Sequence, residues 1–175
     1  MTEHLWPFLR LKADTDEELK ELYRQVYLET YVRDADGREI ELYDWHGTRV
    51  HFNARAFDHA FSESLDYRFG DGDHDILLSK RRARCILWIK EVLAVSAGTV
   101  ERYNQTRKNS RGRPKQRRVL LVVEERYVIV LQVREKDREL EFISAFIADE
   151  GYIKREIKTK GGWAETKKSP SLNGD

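Results

Sequence analysis

Hydrophobic positions in this chain follow two different periods. Leu19, Leu22, Tyr23 and Val26, then Thr30 or Tyr31, recur every three or four residues, the spacing that gives a helix one apolar face. Thr15 stands just ahead of them with Glu18 three residues later, a pairing in which each side chain satisfies a free backbone amide of the first turn. A helix is expected over 16–31, ending before the Asp36-Gly37 turn. Ile40 and Leu42 alternate with Glu39, Glu41 and Tyr43, and Val50 and Phe52 flank His51, so a small hairpin should turn at Trp45-His46-Gly47. Asn53 can cap a second helix that carries Phe57, Ala60, Phe61 and Leu65 on one stripe, with Arg55, His59 and Ser62 away from it. After a loop at 69–75, a third helix is expected from Ser79 to about Val95, with Ala83, Ile86, Leu87, Lys90 and Leu93 inward.

The second half changes to the signature of strands. Residues 119–123, 127–133 and 139–147 are rich in β-branched side chains and are separated by Glu124-Glu125-Arg126 and Glu135-Lys136-Asp137-Arg138. They read as an antiparallel meander. A weaker strand at 99–103 precedes it, joined by a loop over 105–118. A short helix can follow Gly151, and residues 161–175, with Ser, Pro, Lys and Gly but little apolar matter, read as a disordered tail behind a single domain of residues 1–160. Helices first and strands afterwards give an α+β class: N-terminal helices packed on a four-stranded antiparallel sheet, with a small N-terminal hairpin.

Composition changes this picture in one respect. With 175 residues, 40% of them hydrophobic, the chain can build one sizeable core. It has no apolar run long enough to span a bilayer and no basic start followed by a long apolar stretch, so no membrane partner and a cytoplasmic location are expected. The lone Cys85 cannot form an internal disulfide. The net charge of +1 conceals a division: residues 1–78 hold 18 acidic and 9 basic side chains, and residues 79–175 hold 13 and 23, which together make the 31 and 32 of the whole chain. Such a polar molecule offers one face to anions.

The densest charge is in 107–118, where Arg107, Lys108, Arg111, Arg113, Lys115, Arg117 and Arg118 occur with no acidic residue. Like charges repel unless a polyanion neutralises them, and the arginine fork matches phosphate oxygens, so nucleic acid is the expected ligand; the plainer alternative is a solvated loop. A second cluster, Lys80-Arg81-Arg82-Ala83-Arg84, opens the third helix, where cations oppose the helix dipole unless phosphate or acidic neighbours offset them. Cleaving RNA without metal requires groups that accept and donate protons near neutral pH and a cation for the phosphorane. His59, on a helix beside Arg55, is the first candidate for proton transfer, and His51 the second. No histidine and cysteine spacing suggests a metal, and 71–75 opens like a calcium loop but has Ile76 and Arg82 where glycine and glutamate are needed. Neither a metal nor another cofactor is expected. Cys85 sits among core positions and reads as a buried thiol rather than a nucleophile.

Taken in order, FNARAFDHAF at 52–61, SKRRARCILWIKEVL at 79–93, a basic hydrophilic hairpin, YVIVLQV at 127–133 and FISAFIA at 142–148 resemble the phage-associated branch of the Barnase–EndoU–colicin–RelE-like nucleases. The resemblance covers roughly residues 38–158. It implies a metal-independent endoribonuclease of a phage, mobile-element or toxin system that cleaves RNA by 2′-OH attack to a 2′,3′-cyclic phosphate. It would make His59 the acid or base, Arg84 or Arg82 the phosphate-binding cation, and Ser144 the hydroxyl that orients phosphate, with RNA and an immunity or antitoxin protein as partners. Two alternatives remain open at this point: a non-catalytic nucleic-acid-binding module using 107–118, and a protein-interaction domain whose basic face docks an acidic partner.

Overall fold

The computed structural model describes residues 3–63 and 77–170. Leu65, at the end of the second predicted stripe, and the predicted loop at 69–75 lie outside the described residues. Helix α1 runs from Asp16 to Tyr27 and passes into a π-helical turn over Leu28–Val32. Its start follows from the capping pair: the Thr15 hydroxyl accepts from the Glu18 amide at 3.1 Å. Leu19, Tyr23, Tyr27 and Tyr31 form the buried stripe, while Leu22 is exposed. The chain then turns at Gly37 and makes strands β1 (Leu42–Tyr43) and β2 (Arg49–His51), the expected hairpin.

Helix α2 is short, Ala56–Ala60. Asn53 folds back on its own chain, its side-chain oxygen accepting from the Arg55 amide, rather than capping a longer helix. The expected third helix is two pieces, α3 (Lys80–Ala83), capped by the Ser79 hydroxyl, and α4 (Trp88–Ala94). The break is explained by burial on all sides: Ala83, Cys85, Ile86, Trp88 and Ile89 are each fully buried, which one straight amphipathic helix could not achieve with a single face. Lys90, expected inward, is exposed.

The sheet departs most from expectation. It has seven strands, not four, in the order β1-β2-β6-β5-β4-β3-β7, and it is mixed and curled toward a half-barrel. Strands β3 (Thr99–Lys108), β4 (Pro114–Val122), β5 (Tyr127–Val133) and β6 (Leu140–Ile147) form the expected antiparallel meander. The N-terminal hairpin is not the separate piece expected, because β2 joins the sheet by parallel pairing of Val50 with Leu140 and His51 with Glu141. The segment 105–118 is largely strand. Only Asn109–Arg113 turn, with the Asn109 side chain accepting from the amides of Arg111 and Arg113 and Gly112 at φ +76°.

After helix α5 (Glu150–Tyr152) and a second π-helical turn (Ile153–Lys158), residues 163–168 of the expected tail form β7, antiparallel to β3. A low apolar content does not prevent this, because an edge strand needs backbone partners more than a core face. Gly162 allows the approach: its carbonyl accepts from the Asn104 amide at 2.7 Å, and a Cβ there would overlap the Asn104 carbonyl oxygen.

Period-2 alternation divides the sheet into two faces. One carries Val100, Leu120, Val122, Tyr127, Ile129, Leu131, Leu140, Phe142 and Ala145 into the main core with the helices; the other carries Tyr103, Val119, Leu121 and Val128 beneath Tyr152, Ile153 and Ile157. The C-terminal helical segment thus covers part of the second face and leaves the rest open.

Candidate functional site

The open part of the second face is where the charge collects. Tyr103 pairs with Val119, Gln105 with Arg117 and Arg107 with Lys115, so Gln105, Arg107, Lys115 and Arg117 continue the face begun by Tyr103 and Val119. Gln105, Arg107, Arg117, Val130, Tyr152 and Lys160 border a cavity of about 130 Å³. Arg117 is half-buried, and its Nε is buried with no hydrogen-bond partner among the described residues. Burial, then the charge of Arg107, draws its pKa down. An unpartnered buried donor of this kind is unfavourable until an acceptor arrives.

Helices α2 and α3 bring in the other groups by packing beside β6. The Arg82 guanidinium lies 5.0 Å from the centre of the Phe146 ring and donates to the Ala60 carbonyl at 3.3 Å. The Tyr152 ring meets Phe146 edge-on, with centroids 5.3 Å apart. Helix α5 sets that ring in place, since the Asp149 carboxylate caps it by accepting from the Tyr152 amide at 2.7 Å. His59, next to Ala60, keeps contact with solvent. Crowding around its ring is the largest influence on it, and the charges of Arg82, Arg117 and Arg107 act in the same direction, so its pKa is held below the ordinary 6.5.

Ser144 is buried and pairs across the sheet with Val130, a wall of the cavity; alternation puts it on the same face as Phe146. Among the described residues, acidic groups near this cluster include Glu156, paired with Lys160, Glu63, which acts on Arg82, and Asp149, which caps α5.

The structure therefore gathers His59, Arg82, Arg107, Arg117 and Ser144 on one side of the sheet. Arg84 goes elsewhere: its guanidinium lies 4.4 Å from the centre of Phe8, and its carbonyl accepts from the Leu9 amide. Of the two arginines offered by the sequence, Arg82 is the one beside His59. Arg81 borders a different cavity with Asp16, Glu63 and Lys80. Arg118 points to the main-core face, 3.9 Å from buried Asp44. Lys108, Arg111 and Arg113 are exposed at the hairpin end, and Lys115 pairs with Glu135 at 3.1 Å. Tyr152 and Phe146 escape a reading of charge and histidine; an Asp149 cap followed by an aromatic residue three positions on is the available signal.

A separate cluster brings His51, Asp137 and Glu139 within 4.8 Å of one another, the ligand types a divalent metal would use. These groups already have partners inside the protein: His51 Nε2 lies 2.7 Å from Glu139, and Arg134 lies 3.2 Å from Asp137. Sequence spacing could not reveal this group, because parallel pairing of β2 with β6 creates it. No helix among the described residues is long and apolar enough to cross a membrane. No protein-family model, curated protein or solved structure matches the chain.

Proposed function

We propose that this protein is a metal-independent endoribonuclease working on the open, cationic face of its sheet. The observation that carries this reading is His59 placed near Arg82, Arg107 and Arg117, where crowding around the ring and then those charges hold the imidazole pKa below its ordinary value, which favours the neutral form at physiological pH. A neutral imidazole can accept the 2′-OH proton. The 2′-oxygen then attacks phosphorus, the bond to the 5′-oxygen breaks, and the products are a 2′,3′-cyclic phosphate and a 5′-hydroxyl. Arg82, Arg107 and Arg117 stabilise the charge gathering on the nonbridging oxygens, where a cation in a partly desolvated site contributes most. The Ser144 hydroxyl would fix one of those oxygens. The seven-stranded sheet is not the four-stranded one that the nuclease resemblance implied, so the proposal rests on residues and their chemistry rather than on fold.

The hairpin end supports a second reading, a nucleic-acid-binding protein without catalysis. Arg111 and Arg113 are exposed there and need no histidine to hold phosphates. Incubation of the purified protein with total RNA in EDTA decides between the two. Fragments ending in 2′,3′-cyclic phosphate, reduced by about 100-fold or more in His59→Ala while RNA affinity is kept, support the nuclease. Tight binding with no cleavage supports the second reading.

A further inference from the structure

We infer that Tyr152 is the second proton-transfer residue of this site, the general acid that protonates the departing 5′-oxygen. The inference rests on the nuclease reading and supplies what that reading lacks. Transfer of the phosphoryl group to the 2′-oxygen takes one proton from the 2′-OH and delivers one to the 5′-oxygen, so two groups must share the work or one must do both in turn. His59 accounts for the first proton.

Among the described residues at the cavity, few side chains can give up the second. Arg107 and Arg117 hold their protons too firmly to donate them. Lys160 and Glu156 are engaged with each other. Gln105 donates to carbonyls of the C-terminal segment, reaching that of Gly161 at 3.1 Å. Glu63 borders the other cavity, with Leu77, Lys80 and Arg81. Tyr152 remains. Its ring borders the same cavity as Arg107 and Arg117 and stands against Phe146, over which Arg82 lies. Arg82 in turn is bonded to the carbonyl of Ala60, the residue after His59. A continuous set of contacts thus leads from the residue after the proposed base to the ring of Tyr152.

Burial first, then Glu156, raises the tyrosine's pKa, so the hydroxyl is protonated before reaction. Arg82, Arg107 and Arg117 oppose that shift and would stabilise the phenolate once its proton has left. The balance is complete: the 2′-O–H proton goes to His59, the 2′-O–P bond forms, the P–O5′ bond breaks, and the 5′-oxygen takes the Tyr152 proton. Return of a proton from His59 to Tyr152 through water resets the site.

The test compares two substrates of the full-length wild-type protein and of Tyr152→Phe, which keeps the ring against Phe146. One is a dinucleotide, whose 5′-alkoxide leaving group needs protonation. The other is the 4-nitrophenyl ester of uridine 3′-phosphate, whose leaving group does not. The expected result is a loss of about 100-fold on the dinucleotide with the activated ester cleaved within about threefold of wild type. Equal losses on both substrates would make Tyr152 a structural residue, and no loss on either would remove it from catalysis; each overturns the inference while leaving the nuclease reading intact. Failure of the wild-type protein to cleave either substrate overturns the nuclease reading and this assignment with it.

Discussion

Trp45 donates its indole N–H to the Glu165 carboxylate at 2.7 Å, which ties the turn between β1 and β2 to β7, although β1 and β7 are the two outermost strands of the sheet. His46 bonds the same carboxylate at 2.6 Å, and Arg102 lies 3.2 Å from it. One glutamate therefore links the ends of a curled sheet that hydrogen bonding between strands leaves open.

That carboxylate should make stability depend on acid. Burial raises its pKa, but donation from Trp45 and His46 and the charge of Arg102 outweigh burial and hold it below the ordinary 4.5. A depressed carboxyl pKa contributes stability above the unfolded value and loses it as pH falls through the folded value. Glu165→Gln should cost about 1–2 kcal/mol in urea unfolding at pH 7 and much less at pH 3. An equal cost at both pH values would assign the effect to packing.

Gly162 and its neighbour Gly161 should respond differently to a methyl group. Both have positive φ, +85° and +74°, but an added Cβ at Gly161 meets nothing within 4 Å, whereas at Gly162 it meets the Asn104 backbone. Gly161→Ala should cost about 1 kcal/mol, from conformation alone. Gly162→Ala should cost at least ~2 kcal/mol and detach β7, seen as faster amide exchange at 163–168. Similar costs at the two sites would deny the close approach.

The pH dependence of the proposed cleavage follows from the crowding and then the arginines around His59. Since the imidazole pKa lies below 6.5 and the base form is the reactive one, the rate should rise with pH through that lower value and level off by neutrality. Arg82→Gln removes one of the depressing charges, so the rising limb should move to higher pH as the plateau falls. An unmoved limb would show that another group titrates.

The two faces of the sheet separate neighbouring arginines. Arg117 faces the open site, and Arg118 faces buried Asp44 on the other side. Arg107→Ala and Arg117→Ala should each flatten the log–log salt dependence of single-stranded RNA binding by about 0.7 for every phosphate left unneutralised. Arg118→Ala should leave the slope unchanged and lower stability instead. Identical slopes for all three variants would place the RNA-binding surface elsewhere.

Local signals in the sequence carried much of this structure, and long-range ones did not. The Thr15 cap of the Glu18 amide, the turn at Gly37 and the three β-branched runs are each written within a few residues, and each forms. What joins the expected hairpin and the C-terminal segment to the sheet is set by distant partners: β2 pairs with Leu140 and Glu141, and β7 with Thr99–Tyr103. Basic residues at 105–118 concealed a ribbon because charge marks solvent exposure, not backbone shape. The same limits govern the site. His59 is legible as a histidine off an apolar stripe, but the choice of Arg82 over Arg84 depends on which residue reaches Phe146 and which is taken by Phe8.

Parallel pairing of β2 with β6 also imposes an order of assembly. The meander from β3 to β6 closes through short turns, while Val50 must find Leu140 across about half of the chain, and loop closure over such a distance is slow. Pulse-labelled hydrogen exchange should therefore protect the amides of Val128–Val133 before those of Val50 and His51. His59 follows β2 directly, so it would reach the arginines only in this late step. On the proposed nuclease reading, a folding chain would then carry its cationic sheet before it carries the imidazole, and capacity to bind RNA would precede capacity to cut it.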